Sequence, residues 1–218
     1  MKTIGIFAPA RLDSQRLPNK QLLPIKNSNM FEMCCEKLNY ITKVYNIPTY
    51  VLICDEPLIK IAEKYPNITI IIRDKETSKV DGPLNFIYKD IVEYAKEDYL
   101  MFLNPCLTFL SCETIVNNIK EFLNSDKEYG TSVKKIQNWI WDKELNNVNY
   151  IDYKALNTKT IEPWYQCAHC FHIFNKERFK QDGLMLTDDL CLLEIPEEET
   201  IDIDTYEEYE YAKWKWEH

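Results

Sequence analysis

An apolar run that leads directly into a cationic loop constrains this chain more than any other feature. Residues 4–8 read Ile-Gly-Ile-Phe-Ala and are followed by Pro9, which predicts a buried strand that ends at the proline. The next loop carries three cations and a hydroxyl, namely Arg11, Ser14, Arg16 and Lys20. Open α/β sheets bind phosphates where the carboxyl end of a strand opens into a loop, and arginine and lysine suit polyphosphate. The residues alone leave two interpretations open: a phosphate-binding loop, or a solvated loop whose cations are exposed.

The same loop resembles the signature of a known family. The pattern Pro9-Ala10-Arg11-x-x-Ser14-x-Arg16-Leu17-Pro18-x-Lys20 is similar to that of the CMP-sugar synthetases, which join CTP to an acidic sugar of the Kdo or sialic type. The second half of this pattern, Ser14 to Lys20, looks more like that of the Kdo-type and spore-coat-polysaccharide branches, because sialic-type members tend to have a lysine where Gln15 stands. The resemblance implies that Ala10, Arg11, Ser14, Arg16 and Lys20 bind the nucleotide, and that Arg11 and Lys20 act in catalysis.

Composition restricts the class of protein and of partner. The chain has 218 residues and a formal net charge of −9, which predicts one domain over residues 1–218 and argues against nucleic acid or an anionic membrane as a partner. A basic loop in an acidic chain therefore indicates an anionic ligand. The apolar runs are of strand length and the N-terminus lacks a signal pattern, so we expect a cytoplasmic protein without a membrane span. Its eight cysteines are then expected to be reduced and mostly buried.

Predicted strands and helices alternate along the chain. Apolar runs predict further strands at 49–54, 68–72 and 99–103. Between them, apolar residues at helical spacing predict helices that begin near Asn29, Pro57, Pro83 and Ser111, with Pro57 at the first helical position. This alternation predicts an α/β fold with a Rossmann-like, mostly parallel sheet and helices on both faces. The resemblance narrows it to the nucleotide-diphospho-sugar transferase type.

Two further loops follow predicted strands. The polar stretch 73–82 corresponds to the family loop that embraces the nucleotide base, so the resemblance implies nucleotide binding by Arg73, Asp81 and Asn85. A solvated loop in which Asp81 caps the next helix is the alternative. After the strand at 99–103, Asn104 and Pro105 stand where the family has residues that touch the ribose. Cys106 departs from the family pattern, in which a threonine is common.

The segment 129–166 is rich in aromatic residues and poor in periodicity. It contains Trp139, Trp141, Tyr150, Tyr153 and Trp164. In the family this region forms the acceptor side and an arm that reaches a second subunit, so the resemblance implies a homodimer. Aromatic side chains are common at interfaces, but packing in the core explains some of them equally well.

Cys167-Ala-His169-Cys170-Phe-His172 has the composition of a metal site. A second ligand pair at finger-like spacing is missing. On a regular strand Cys167 and His169 face one way while Cys170 and His172 face the other, so we expect the potential ligands to be separated and disfavour zinc. The resemblance implies instead that His169, with Gln166 beside it, contacts the acceptor sugar acid.

The last signature is Thr200-Ile-Asp202-Ile-Asp204, followed by Thr205-x-x-Glu208. The alternation predicts a half-buried strand that holds both carboxylates on one face, and Thr205 with Glu208 predicts a capping box that opens the final helix. The resemblance implies that Asp202 and Asp204 are catalytic and bind Mg²⁺, or Mn²⁺ in its place. In the alternative, Asp202 is a surface residue and Asp204 favours the helix dipole.

These features together predict a CTP-dependent nucleotidyltransferase that activates a sugar acid and releases pyrophosphate. Two rivals remain. A metal-dependent glycosyltransferase is expected to carry Asp-x-Asp after a central strand, where this chain has Asn104-Pro105. A non-catalytic nucleotide-binding protein would suit the departures at Gln15 and Cys106, although both the cationic loop and the aspartate pair are retained.

Overall fold

The computed structural model describes residues 2–78, 82–149 and 157–218. The strands of the described chain are β1 (Ile4–Pro9), β2 (Pro24–Ile25), β3 (Ser28–Asn29), β4 (Thr49–Ile53), β5 (Thr69–Ile72), β6 (Tyr99–Leu103), β7 (Tyr129–Ile136), β8 (Trp164–Asn175) and β9 (Cys191–Glu194). The α-helices of the described chain are α1 (Met30–Tyr45), α2 (Glu56–Ala62), α3 (Leu84–Ile87), α4 (Lys89–Tyr94), α5 (Cys112–Asn124), α6 (Lys176–Asp182) and α7 (Tyr206–Glu217). None of the described helices is long and apolar enough to cross a membrane.

Seven of these strands form one sheet, in the order β5-β4-β1-β6-β8-β7-β9, and β2 pairs with β3 in a separate hairpin. Within the large sheet, β8 runs antiparallel to β6 and β7. The other neighbouring strands are parallel. The prediction of a mostly parallel, Rossmann-like sheet is therefore confirmed.

Helices cover both faces of the sheet, as predicted. One face packs against α1, α2 and α5 through residues such as Leu38, Leu58 and Ile119. The other face packs against α4 and α6, through Ile91 and Phe179. Burial on both sides explains why the central strands are continuous apolar runs rather than alternating ones.

A third, smaller apolar cluster joins the two ends of the chain. Leu17 of the cationic loop, Ile25, Met30 and Ile203 pack there against Tyr209 of α7. The Tyr209 hydroxyl also donates to the carbonyl of Pro24, at 2.7 Å. The segment before α7 is thereby held against the loop after β1.

The helix starts follow the predicted capping chemistry, with two exceptions. Asn29 and Ser111 accept backbone N–H groups at the starts of α1 and α5, and Thr205 with Glu208 forms the predicted capping box of α7. Pro57 is the second residue of α2, not the first, because Asp55 is the cap; an amide in the first turn has no intrahelical acceptor, so proline is tolerated there too. The helix predicted from Pro83 is split at Tyr88 into α3 and α4.

The predicted strand at 201–204 is wrong, because these described residues belong to no strand. Side chains fix the segment instead of a ladder of backbone bonds. Ile203 is fully buried in the third cluster, and its carbonyl accepts from Lys20 at 3.4 Å. Only the inward position of Ile203 follows the predicted alternation.

The separation predicted for the Cys/His segment is also wrong, because β8 contains a bulge. Thr131 of β7 pairs with His172 but Val133 pairs with Cys167, so β8 inserts extra residues between these two pairs. His169 lies within the bulge and has φ of 51°. A bulge interrupts the two-residue alternation of side chains, and ligand atoms of Cys167, His169 and His172 consequently lie within 4.8 Å of one another.

The aromatic segment 129–166 divides into a sheet part and an irregular part. Residues 129–136 form β7, inside the sheet. Trp141 and Trp164 are about half exposed. Tyr150 and Tyr153 lie outside the described residues. The structure therefore places β7, and Trp164 at the start of β8, in the sheet, whereas Trp141 lies in the irregular part.

Candidate active site

The carboxyl ends of β1, β4, β5 and β6 meet at one edge of the sheet because these strands are parallel. The loop after β1 is anchored there by Asp55, whose Oδ2 accepts from the backbone N–H of Leu12 at 3.0 Å. Sequence reasoning missed this role of Asp55, although an acid directly after a buried strand at the shared edge is a usable signal. The anchored loop lies above the sheet edge together with Arg73 and Asn104.

Lys20 binds the C-terminal segment directly. Its Nζ lies 2.6 Å from Asp204 Oδ1, and Arg16 Nη2 lies 2.8 Å from Asp204 Oδ2. Burial alone would raise the pKa of Asp204, but Lys20 and Arg16 outweigh it and lower that pKa. Burial alone would lower the pKa of Lys20, but the nearby Cys106 and Asp204 outweigh it, so the pKa of Lys20 is raised. Both groups are therefore charged at neutral pH.

The burial of Lys20 departs from the solvated-loop interpretation, whereas the exposure of Arg16 agrees with it. The side chain of Lys20 is 16% exposed, whereas that of Arg16 is 68% exposed. Lys20 is thus a largely buried cation with a specific partner. Arg16 is an exposed cation that helps to hold the same carboxylate.

Asp202 has a different environment from Asp204. Its Oδ2 accepts from Asn104 Nδ2 at 3.0 Å, while its Oδ1 is buried without a hydrogen-bond partner among the described residues. Burial, and then the neighbouring Asp204 carboxylate, raise the pKa of Asp202. A buried carboxylate oxygen that lacks a donor is costly unless a cation binds it. The residues present therefore fit a divalent cation at Asp202.

Asn104 connects Asp202 to the sheet. Its backbone N–H donates to the carbonyl of Cys170 at 2.9 Å, and its side chain also donates to the carbonyl of His169, at 3.3 Å. Its Oδ1 accepts from the backbone N–H of Cys106 at 3.0 Å. Both the backbone and the side chain of Asn104 are thus hydrogen-bonded to neighbouring residues. These bonds fix the orientation of the side-chain amide that contacts Asp202.

Pro105 and Cys106 are buried beneath this contact. Cys106 Sγ accepts from Gln21 Nε2 at 3.3 Å, and burial raises the pKa of Cys106 to about 11. Cys106 is therefore a neutral thiol that supports the floor under Lys20. Sequence reasoning also missed Gln21, because the residues that follow it, 22–25, are apolar and predict only a segment that packs in the core.

Arg11 and Arg73 form a second group of cations, besides Lys20 and Arg16, at this edge of the sheet. Arg73 is 6% exposed; one of its Nη atoms donates to the carbonyl of Thr77 at 3.1 Å, and its Nε has no partner among the described residues. Burial lowers the pKa of Arg73, and the charge of Arg11 adds to that effect. Arg11 contacts Asp13 and the carbonyl of Ser78. Two guanidinium groups that repel each other electrostatically favour an anion between them.

The remaining predicted residues are less central. Ala10 is buried, with its N–H on the carbonyl of Leu52, and Ser14 is half-buried in the loop. Asn85 is exposed and lies beside Gly183, where an added Cβ would come within 3.4 Å of its Cγ. Gln166 is exposed and pairs with Lys134 of β7. Asp81 lies outside the described residues.

A family model described as cytidylyltransferase matches residues 6–176 of the chain. The chain belongs to the cytidylyltransferase family. The prediction of a nucleotidyltransferase of this kind is thereby confirmed. The match includes the cationic loop, Arg73 and Asn104, and ends before Asp202.

Relatives and solved structures agree with the family. A pseudaminic acid cytidylyltransferase of Campylobacter jejuni subsp. jejuni serotype O:2 is 21% identical over 227 residues, which cover 98% of this chain and 95% of the relative. The fold matches that of a CMP-2-keto-3-deoxy-manno-octonic acid synthetase complexed with CTP, with a TM-score of 0.69, 13% identity and 98% of each chain covered. It also matches a 4-diphosphocytidyl-2C-methyl-D-erythritol synthase from Anaerococcus prevotii, with a TM-score of 0.68, 15% identity, and 100% and 97% coverage. The transferase-type α/β fold predicted for this cytidylyltransferase is thereby confirmed.

Proposed function

We propose that this cytidylyltransferase activates an acidic sugar by joining it to the cytidylyl group of CTP, with release of pyrophosphate. The observation that carries the proposal is the pairing of Lys20 with Asp204 beside a buried Asp202 whose Oδ1 lacks a donor among the described residues. In this proposal Lys20 binds phosphate and the aspartates bind a cation, at the edge where α/β sheets bind nucleotides. The curated relative that acts on pseudaminic acid, by its name, supports an acidic sugar as the acceptor.

The reaction forms one bond and breaks another at the same phosphorus atom. An acceptor hydroxyl oxygen attacks the α-phosphorus of CTP, the bond from that phosphorus to the β-phosphate oxygen breaks, and the hydroxyl proton leaves to solvent. Such transfers need positioning and stabilisation of spreading negative charge more than covalent help from the protein. Arg11 and Arg73 supply cations toward the phosphates, and Lys20 supplies a third once it leaves Asp204.

Mg²⁺ is the cation that fits the aspartates. Asp202 is the primary ligand in this proposal because its Oδ1 is free of donors among the described residues. Asp204 is the second ligand, available when Lys20 turns from it toward the phosphates. Bound there, Mg²⁺ would neutralise phosphate charge, and Mn²⁺ would serve in its place.

Oligomeric state and location complete the proposal. The half-exposed Trp141, in the irregular part of 129–166, and Trp164, at the start of β8, support a homodimer formed through this segment. The eight cysteines are all free thiols, which supports a reducing, cytoplasmic location.

A panel assay tests the proposed reaction. The protein is incubated with Mg²⁺, one nucleoside triphosphate and one sugar acid at a time, and pyrophosphate is measured. We expect release with CTP and at least one sugar acid, and loss of that release in Asp202→Asn. Pyrophosphate released equally from all four nucleotides, or from none with any sugar acid, would overturn the proposal.

A further inference from the structure

Three potential metal ligands that the proposed nucleotide site does not use lie close together on β8. Ligand atoms of Cys167, His169 and His172 all lie within 4.8 Å of one another. Cys167 Sγ is 3.6 Å from His169 Nδ1, and the two imidazole rings lie edge to face with centroids 5.8 Å apart. A thiol and two imidazoles this close form a donor set suited to a borderline-soft metal ion.

The backbone brings these ligands together at a cost. His169 adopts a left-handed conformation that is unusual for a residue other than glycine. Ser132 Oγ holds the bulge by accepting the backbone N–H groups of Cys170 and Phe171, at 2.9 and 3.1 Å. Backbone strain of this kind persists where the surroundings hold it, and it is concentrated at functional sites.

The separation of the Cys167 and His169 ligand atoms agrees with tetrahedral zinc. Zn–S bonds of about 2.3 Å and Zn–N bonds of about 2.0–2.1 Å place the sulfur and nitrogen of a tetrahedral site roughly 3.5 Å apart. The observed separation of Cys167 Sγ and His169 Nδ1, 3.6 Å, is close to that value. Cys170 is not part of the set, because it is fully buried and its thiol lies against the carbonyl of Ala168.

The surroundings of His172 resemble those of a metal-binding histidine. Thr131 Oγ1 lies 2.9 Å from His172 Nδ1 and 3.6 Å from Cys167 Sγ. The ring of Phe102 stacks on His172, with an interplanar angle of 19°. Contacts of this kind orient a ligating imidazole and leave its other nitrogen available.

We propose that Cys167, His169 and His172 bind one Zn²⁺ ion, with the fourth position open to water. Three protein ligands and an open position are the arrangement of reactive rather than purely structural zinc sites. His169 is exposed and Cys167 is half-buried, so the open position faces solvent. The carbonyl of His169 contacts Asn104, which also binds Asp202, so the ion would lie next to the proposed acceptor side.

Cobalt substitution tests the zinc site without any assay of activity. The protein is treated with a chelator and then titrated with Co²⁺. We expect one equivalent to bind with the intense visible bands of tetrahedral cobalt and a thiolate charge-transfer band in the near ultraviolet, and Zn²⁺ to displace it. Weak octahedral bands without a thiolate band would overturn the proposal.

Matched variants assign the ligands. Cys167→Ser is expected to abolish the thiolate band, whereas Cys191→Ser, at a half-buried cysteine on β9, retains it. His169→Asn removes the imidazole while asparagine tolerates the left-handed backbone, and we expect at least a tenfold weaker affinity for the metal. Thr131→Val is expected to weaken it about tenfold or more by removing the contact to His172. Circular dichroism confirms that each variant is folded; a folded Cys167→Ser protein that keeps the wild-type cobalt spectrum would contradict the proposal.

Discussion

Asp202 and Asp204 are separated by one residue, yet their surroundings give them opposite effects on stability. Asp204 has a cation at each oxygen, and its pKa is lowered as a result. One oxygen of Asp202 accepts a hydrogen bond from the Asn104 amide, and the pKa of Asp202 is raised, chiefly because of burial. The charge of Asp204 therefore stabilises the fold, whereas the charge of Asp202 opposes it, a cost that the proposed Mg²⁺ would offset.

We expect the two asparagine variants to shift stability in opposite directions in magnesium-free buffer. Asp204→Asn removes the partner of Lys20 and Arg16 and is expected to lower the free energy of unfolding by about 1–3 kcal/mol. Asp202→Asn removes an unsatisfied buried charge and is expected to raise it by about 1 kcal/mol. Urea unfolding measures both, and added Mg²⁺ is expected to stabilise the wild type but not Asp202→Asn. A loss of stability in Asp202→Asn as large as that in Asp204→Asn would contradict this assignment.

The same two carboxylates predict opposite dependences on pH. The folded-state pKa of Asp204 is lowered, so its contribution is present above its unfolded pKa, about 3.9, and is lost as pH falls through the folded value. The folded-state pKa of Asp202 is raised, so its cost is absent at low pH and appears as pH rises through the folded value. Unfolding measured from about pH 4 to about pH 7 is expected to show the advantage of Asp202→Asn over wild type growing with pH. An advantage that is constant across this range would count against a buried charge at Asp202.

Lys20 and Arg16 contact the same carboxylate but differ in burial. Lys20→Ala is expected to slow turnover by orders of magnitude and also to lower the melting temperature, because a largely buried ion pair is broken. Arg16→Ala is the matched control and is expected to cost at most about 1 kcal/mol, because Arg16 is mostly exposed. Pyrophosphate release and thermal melts measure the two effects. Full activity in Lys20→Ala would contradict its proposed role at the phosphates.

Sequence patterns predict the cationic loop and the aspartate pair, but they do not predict that Asp202 and Asp204 have different environments. The residue spacing gave Asp202 and Asp204 equal roles, and the difference between them comes from partners far along the chain. Asn104 and Lys20 lie 98 and 184 residues away from their respective aspartates. Contacts at such separations depend on the finished fold, so local spacing does not reveal them.

At the scale of elements, the strands, helices and caps were largely predictable because each has a local cause. Apolar runs gave β1, β4, β5 and β6, and capping side chains gave the starts of α1, α5 and α7. The bulge in β8 was not predictable. It depends on the register against β7 and on the Ser132 hydroxyl, so a regular two-residue period assigned His172 to the wrong side.

The cap of α7 is expected to affect the site as well as the helix. Thr205 accepts the N–H of Glu208, and Glu208 in turn accepts from Thr205. Thr205→Ala is expected to lower the free energy of unfolding by about 1 kcal/mol and to reduce turnover, because α7 packs on Ile203 between the aspartates. Thr205→Ser keeps the hydroxyl and is the control. Equal stability of the alanine and serine variants would show that the cap contributes nothing.

At the scale of the whole molecule, one seven-stranded sheet holds the elements that position the candidate site residues. The family match, the relative and the solved structures confirm the sheet and the class of enzyme predicted from one loop. The identity of the acceptor is harder to predict from the sequence. The residues predicted to contact it, Gln166 and His169, are exposed polar residues, and their spacing does not specify a sugar.

Selectivity for CTP is expected to appear as a larger increase in the stability of the folded protein with CTP than with other nucleotides. A ligand that binds only the folded protein adds about 2.7 kcal/mol at a hundredfold excess over its dissociation constant. CTP with Mg²⁺ is therefore expected to raise the melting temperature more than ATP, GTP or UTP at equal concentration. Asp202→Asn is expected to reduce the gain. Equal shifts from all four nucleotides would contradict selectivity for cytidine.

The ion pair between Lys20 and Asp204 also has a consequence for how the protein is made. It joins residues 184 positions apart, and closing a loop of that length costs roughly 4–5 kcal/mol of chain entropy. Synthesis proceeds from the N-terminus, so the cationic loop leaves the ribosome long before its carboxylate partner. A nascent chain that lacks residues 201–218 can pair β1, β4, β5 and β6, yet it lacks both aspartates and α7. The proposed binding of magnesium and nucleotide together therefore requires that residues 201–204 have left the ribosome and joined the cationic loop.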